Sequence, residues 1–111
     1  MPKNENTATI AKLNDLLRDT FLTGRVIMTA GVAPLGEAER EAVITAVRTF
    51  NDFTEDNDPH SEHDFGSFTC CESRYNWKID YFDEDMQFHS PNPADPSVTK
   101  RVLTIMRVDE Y

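Results

Sequence analysis

Apolar residues in the first half of the chain recur at the spacing of α-helices in two segments. Residues 5–22 predict a helix whose apolar stripe comprises Ile10, Leu13, Leu16, Leu17 and Phe21. Gly24 follows at the position where helices often end in a left-handed residue. A second helix is predicted in "PLGEAEREAVITAVRTF" (34–50), with Val43, Ala46, Val47 and Phe50 on one face. Between the two, "RVIMTAGV" (25–32) predicts a short, largely buried strand.

The period changes to two residues after an aperiodic stretch at 51–63. "FGSFTCCE" (65–72) and "RYNWKIDYF" (74–82) predict strands joined by a tight turn at Ser73 and Arg74. The second of them alternates Tyr75, Trp77, Ile79 and Tyr81 on one face. "DED" (83–85) predicts a turn into a further strand, "MQFH" (86–89), and the proline-rich "SPNPADPS" (90–97) an irregular connection. "TKRVLTIMRV" (99–108) has β-branched residues on both faces, as an interior strand would.

The predicted order of elements is therefore α-β-α-β-β-β-β. It indicates an α+β domain, with an antiparallel sheet of about five strands and two helices packed on one face. At 111 residues the chain is expected to be a single domain (1–111), with residues 1–8 as a flexible N-terminus. No stretch approaches the roughly 20 apolar residues of a membrane span, and the polar start lacks a secretory signal, so a cytoplasmic location is expected.

Charge is distributed unevenly along the chain. The net charge is −9, and residues 51–111, with fourteen acids and five bases, account for all of it. Direct binding of nucleic acid through its phosphates requires basic patches, which this half lacks. A basic protein partner or a divalent cation is better matched to such a field.

Two adjacent cysteines, Cys70 and Cys71, fall in a predicted strand. Neighbouring side chains of a strand point to opposite faces, so a bridge between the two is not expected. They also lack the C-x-x-C spacing of zinc and redox motifs. We expect both thiols to be reduced, with one buried and the other partly exposed.

The segment "TEDNDPHSEHDFG" (54–66) holds the candidate chemistry. Asp58, His60, His63 and Asp64 could together bind a divalent metal such as zinc or manganese. In a metal-dependent hydrolase, His60 or His63 would act as the general base. The segment matches neither the H-E-x-x-H motif nor the EF-hand loop. A structural role is the alternative, in which Asp and Asn side chains form turns and a buried histidine pins the loop.

Several longer strings resemble one known family. "FTEDNDPHSEHDFGSF" (53–68), "WKIDYFD" (77–83) and "PNPADPSVTKRVLTIM" (91–106), together with "RVIMTAGV" and the terminal "DEY", are similar to domain of unknown function 3768. The resemblance extends from about residue 10 to Tyr111. It implies a small proteobacterial protein often carried on plasmids and other mobile elements beside antirestriction-type genes, and it brings no catalytic residue.

The acidic half and this resemblance favour a binding protein without catalysis or a cofactor. We expect it to inhibit a basic, nucleic-acid-handling host defence protein, in the manner of an anti-CRISPR or antirestriction protein. The expected contact residues are Glu55, Asp56, Asp58, Glu62, Asp83, Glu84 and Asp85, with Phe65, Phe82 and Phe88 as apolar anchors. The alternatives are the metal-binding protein or hydrolase described above, and an accessory protein whose acidity serves solubility.

Overall fold

The computed structural model describes residues 5–111 and contains two helices and four strands. The helices are α1 (Glu5–Thr20) and α2 (Glu37–Thr49), and the strands are β1 (Arg25–Met28), β2 (Phe65–Cys70), β3 (Ser73–Phe82) and β4 (Lys100–Arg107). Short 3₁₀ helices form at Pro96–Val98 and Val108–Glu110. Residues 1–4 of the expected flexible N-terminus lie outside the described residues, whereas residues 5–8 belong to α1. Within residues 5–111, no helix has the length and apolar character required to cross a membrane.

The strands form one mixed sheet in the order β1-β4-β3-β2. The α+β class is confirmed, and β4 is an interior strand as its sequence predicts. Two details differ from the expected antiparallel sheet of about five strands. β1 pairs with β4 in parallel, and the "MQFH" segment contributes only a single bridge between Phe82 and His89. The side chain of Asp83 accepts the main-chain N–H groups of Gln87 and Phe88, which closes this segment into a turn instead of an extended strand.

The core lies between the helices and one face of the sheet. The predicted alternation of β3 is confirmed, since Tyr75, Trp77, Ile79 and Tyr81 are all buried. They pack with α1, α2 and β4 in one apolar cluster that includes Leu17, Val43, Val47, Leu103 and Ile105. A strand with its apolar residues on one face and helices covering that face is the arrangement that the two periodicities predict.

The inner face of α1 differs from the predicted stripe. Leu16 is 45% exposed, while Asn14 and Arg18 are buried on the side that faces the core. Arg18 donates through Nη1 to the main-chain oxygens of Val47 and Phe50, each at 2.9 Å. These carbonyls belong to the last turn of α2 and its C-cap, so the guanidinium caps that helix and joins it to α1.

Two turn positions also differ from the sequence prediction. α1 ends at Thr20 and is followed by the left-handed residue Phe21, whose φ is 59°, whereas Gly24 does not have a positive φ. Gly24 is instead needed for close packing, because a Cβ there would lie 2.7 Å from the main-chain oxygen of Arg101. In the β2–β3 hairpin the turn residues are Cys71 and Glu72, with φ values of 53° and 68°, and not Ser73 and Arg74. Two central residues with positive φ match a type I′ turn, whose twist suits a two-residue hairpin.

Candidate functional site

Both strongly acidic segments lie at the same end of the sheet. β2 and β3 form an antiparallel hairpin with its tip at Cys71 and Glu72. Segment 51–64 enters β2 and segment 83–99 leaves β3 at the end opposite this tip. The two segments together contain ten acids and no lysine or arginine. We refer to residues 51–64 and 83–99 as the acidic end.

Segment 51–64 is organised by its own side chains. The amide of Asn57 accepts the main-chain N–H of Thr54 at 2.8 Å and donates to the oxygen of Asp52 at 2.7 Å. Asp58 has a side chain that is only 3% exposed, and its Oδ1 accepts the N–H groups of Glu62 and His63. These are the bonds with which Asp and Asn side chains form turns, as the structural alternative predicts.

His63 fastens the same segment to α1. Its Nδ1 lies 2.9 Å from Oδ1 of Asp15, and its Nε2 lies 3.8 Å from Oδ2 of Asp58. The imidazole also stacks on Phe53 with ring centroids 3.9 Å apart. A carboxylate on either side and an aromatic ring against one face restrain this side chain. His63 therefore pins the loop to α1.

A second connection runs through the buried Asn14. Its Nδ2 donates to the main-chain oxygen of Glu62 at 3.0 Å and to the hydroxyl of Tyr81 at 2.8 Å. Its Oδ1 accepts from Nε of Arg101 at 2.9 Å. The Tyr81 hydroxyl donates in turn to Oε1 of Glu62, and Arg101 also donates to the main-chain oxygen of Pro93. α1, β3, β4 and both acidic segments thus meet in one hydrogen-bonded network, and burial raises the pKa of Tyr81.

The four candidate metal ligands are not gathered around one point. Asp58 and His63 are neighbours, but His60 is exposed, and the main chain of Asp64 is bonded to Ile79 of β3. Among residues 5–111, no group of three or more His, Cys, Asp or Glu side chains is placed to hold a metal ion. The geometry assigns the Asp58–His63 pair to loop structure, and metal binding remains a prediction for experiment.

Replacement of His63 separates the structural role from metal binding. His63→Ala is expected to lower the free energy of unfolding by about 1 kcal/mol, since it removes the bond to Asp15 and the stacking on Phe53. His60→Ala is the matched control, with an expected change within about 0.5 kcal/mol because His60 is exposed. Urea unfolding with and without a chelator measures both. A loss for His63→Ala that occurs only in metal-containing buffer would support the metal site.

The pH dependence of stability in an Asp64 variant also tests whether the loop binds a metal. Burial, followed by the nearby Glu62, raises the pKa of Asp64 above its ordinary value of 3.8. A raised folded-state pKa means that the ionised carboxylate destabilises the fold above the unfolded-state pKa, and that this penalty disappears below it. Asp64→Asn should therefore raise the melting temperature at pH 7 and leave it unchanged near pH 3. If Asp64 is a metal ligand, the same variant should lower the melting temperature in metal-containing buffer at pH 7.

The expected contact residues divide into exposed and internal groups. Glu55, Asp56, Glu84 and Asp85 are exposed, and Asp83 is half-buried as the acceptor that closes the 83–89 turn. The carboxylates of Asp58 and Glu62 already accept hydrogen bonds from within the protein, so they are less available to a binding partner. Of the expected aromatic anchors, Phe65 packs against Tyr111, while Phe88 is 70% exposed and lies in the acidic turn.

The residues that sequence reasoning missed are the buried polar ones. Asn14 lies four positions after Ile10 and three before Leu17, so it falls on the apolar stripe of α1. A polar side chain on an apolar stripe requires a hydrogen-bond partner, and that signal was present in the pattern. The alternation in β3 indicated the burial of Tyr81, but nothing local indicated its hydrogen bonds or those of Arg101, because their partners come from segments distant in sequence.

The fold and the site define a small α+β protein with a fixed acidic end that exposes one aromatic side chain. The family model described as Protein of unknown function (DUF3768) matches residues 28–110, and the chain belongs to this family. The matched segment begins at the last residue of β1, covers α2 and β2 through β4, and leaves α1 outside it. No curated protein and no solved structure gave a significant match.

Proposed function

We propose that this is a non-enzymatic binding protein whose acidic end docks on a basic, nucleic-acid-handling host defence protein. The observation that carries the proposal is that two segments with ten acids and no lysine or arginine converge at one end of the sheet, beside Lys100 and Arg101 at the start of β4. A surface of this kind competes with nucleic acid for a positively charged groove. Family members carried on mobile elements would benefit by inhibiting restriction or CRISPR complexes. We therefore propose a complex of one of these two kinds as the partner.

The exposed Phe88 supports binding over mere solubility. Stable interfaces depend on a few apolar or aromatic anchors that become fully desolvated, with charges around them. Phe88 follows the acidic run 83–85 within a turn that is held by two hydrogen bonds to Asp83. Met86, in the same turn, is also exposed. The turn therefore presents an apolar contact inside an acidic surface.

The internal bonds of the acidic end also favour binding. A surface that is already ordered loses less conformational entropy when it meets a partner. His63 attaches segment 51–64 to α1, and the Asn14 network joins both acidic segments to the sheet. The exposed carboxylates of Glu55, Asp56, Glu84 and Asp85 are therefore displayed from a fixed base.

Charge reversal on the exposed turn tests the proposal. The double variant Glu84→Lys/Asp85→Lys spares Asp83, which closes the turn. The matched control is Glu41→Lys/Glu72→Lys, which changes the net charge equally. Glu41 is an exposed residue of α2, and Glu72 lies at the hairpin tip opposite the acidic end. Inhibition of DNA binding by purified type I restriction and CRISPR effector complexes is the readout.

We expect the wild-type chain to inhibit one such complex, more strongly at low than at high salt. The Glu84/Asp85 variant should lose at least about tenfold in apparent affinity, since close charge pairs contribute on the order of 1.5 kcal/mol or more. The Glu41/Glu72 variant should retain inhibition. Equal losses in both double variants would indicate a general charge effect and contradict docking through the acidic turn.

A further inference from the structure

A pair of adjacent thiols lies at the tip of the β2–β3 hairpin. The sulfurs of Cys70 and Cys71 are 3.4 Å apart, although neighbouring side chains of a regular strand point to opposite faces. The difference arises because Cys71 is not in the strand. Its φ of 53° makes it the first central residue of the turn, which brings its side chain to the same side as that of Cys70.

The two thiols differ in exposure but are both free. Cys71 is exposed, and Cys70 is half-buried against the edge of the apolar core. The pair lies at the opposite end of the sheet from the acidic end, so it is independent of the proposed docking surface. From this geometry we propose that Cys70 and Cys71 form a vicinal dithiol site that chelates a single thiophilic centre of the trivalent arsenical class.

Chelation fits the backbone better than a disulfide does. The Cα atoms of adjacent residues are about 3.8 Å apart across a trans peptide, whereas disulfides usually need about 4.4–6.8 Å. A bond between these sulfurs would also have to shorten their separation to about 2.05 Å. Two sulfurs on one pyramidal arsenic atom remain well separated, so the present spacing needs little change.

The ligand class follows from the donors. Two thiols without a nearby imidazole or further cysteine make a soft, two-coordinate donor set, which favours thiophilic centres over hard cations. Burial is the main reason why the pKa of the Cys70 thiol is raised, and a smaller thiolate fraction slows its oxidation. Condensation with an arsenical oxide consumes thiols directly and needs no oxidant.

The reaction with phenylarsine oxide balances without a redox step. Each thiol gives up its proton, two arsenic–sulfur bonds form, and the oxide oxygen leaves with both protons as water. Arsenic remains trivalent throughout. The second bond forms within the same molecule, so the effective concentration of the second thiol makes the adduct resistant to monothiols.

Intact-mass measurement of the folded chain after treatment with phenylarsine oxide tests this site. We expect one phenylarsenic group per chain, with the loss of two hydrogens. The adduct should persist in excess glutathione and be removed by 2,3-dimercaptopropanol. Cys70→Ser and Cys71→Ser should each retain at least about tenfold less adduct in glutathione, because one thiol alone cannot chelate. Glu72→Gln, which leaves both thiols in place, should behave as wild type.

Several outcomes would overturn the proposal. They are an adduct that glutathione removes from the wild-type chain, an adduct retained by either serine variant, or no adduct at all. Because Cys71 is exposed, Cys71→Ser is expected to fold, and its circular dichroism spectrum checks that its loss of binding is local. The readout does not involve a protein partner, so failure of the docking proposal would leave this test unaffected.

Discussion

Replacement of Asn14 by alanine is expected to lower the free energy of unfolding by about 3 kcal/mol. Asn14 is fully buried and makes three hydrogen bonds, to Glu62, Tyr81 and Arg101. Truncation removes all three and leaves Nε of the buried Arg101 without its partner. Loss of one partner from a buried, charged network costs much more than loss of an exposed hydrogen bond.

Urea unfolding monitored by the fluorescence of Trp77 measures this change through its midpoint. Asn6→Ala is the matched control, since Asn6 lies on an exposed position of the same helix and the substitution is identical. It should change the free energy of unfolding by no more than about 0.5 kcal/mol. A loss below about 1 kcal/mol for Asn14→Ala would show that the network does not hold the acidic end to the fold.

Substitution of Gly66 by alanine is expected to destabilise the protein by about 3 kcal/mol. An added Cβ would lie 2.4 Å from Nε1 of Trp77 and 2.8 Å from two ring carbons of Phe50. Trp77 is fully buried and cannot move away without disturbing the core. Overpacking of this kind forces side chains off their rotamers and typically costs about 1–3 kcal/mol, and here both rings must move.

Gly36→Ala is the control for Gly66→Ala. A Cβ at Gly36 meets no atom within 4 Å, and its φ of −56° suits any residue. Its free energy of unfolding should stay within about 1 kcal/mol of wild type, because loss of a favourable N-cap offsets the gain from a stiffer unfolded chain. Equal stability of the two variants would contradict the packing described around Trp77.

The surroundings of Gly66 show which features of the fold the sequence pattern could predict and which it could not. Gly66 pairs in regular register with Trp77 of β3. The period of two in β3 was enough to predict which residues face the core, because alternation follows from strand geometry alone. A side chain is excluded at Gly66 by Trp77 of the partner strand and by Phe50. No local sequence pattern indicates these two contacts.

The acidic end was predictable in composition but not in geometry. The sequence indicates that 51–64 and 83–99 are acidic, and hairpin topology then brings them to one end. The sequence does not indicate which of these carboxylates point into the protein. Asp58 and Glu62 were expected at a contact surface, but their partners are backbone amides and Tyr81, which lie far along the chain or depend on loop conformation. The exposure of Phe88 likewise follows from the turn that Asp83 closes.

Phage plating tests the central claim, docking on a defence protein, most directly. Unmodified phage would be plated on hosts that carry type I restriction or CRISPR immunity, and on isogenic hosts that lack them, with the protein expressed in each. We predict that the wild-type chain and the Glu41→Lys/Glu72→Lys control restore plating in one defended host, and that Glu84→Lys/Asp85→Lys does not. Unchanged plating in every defended host, with the folded protein present, would contradict it.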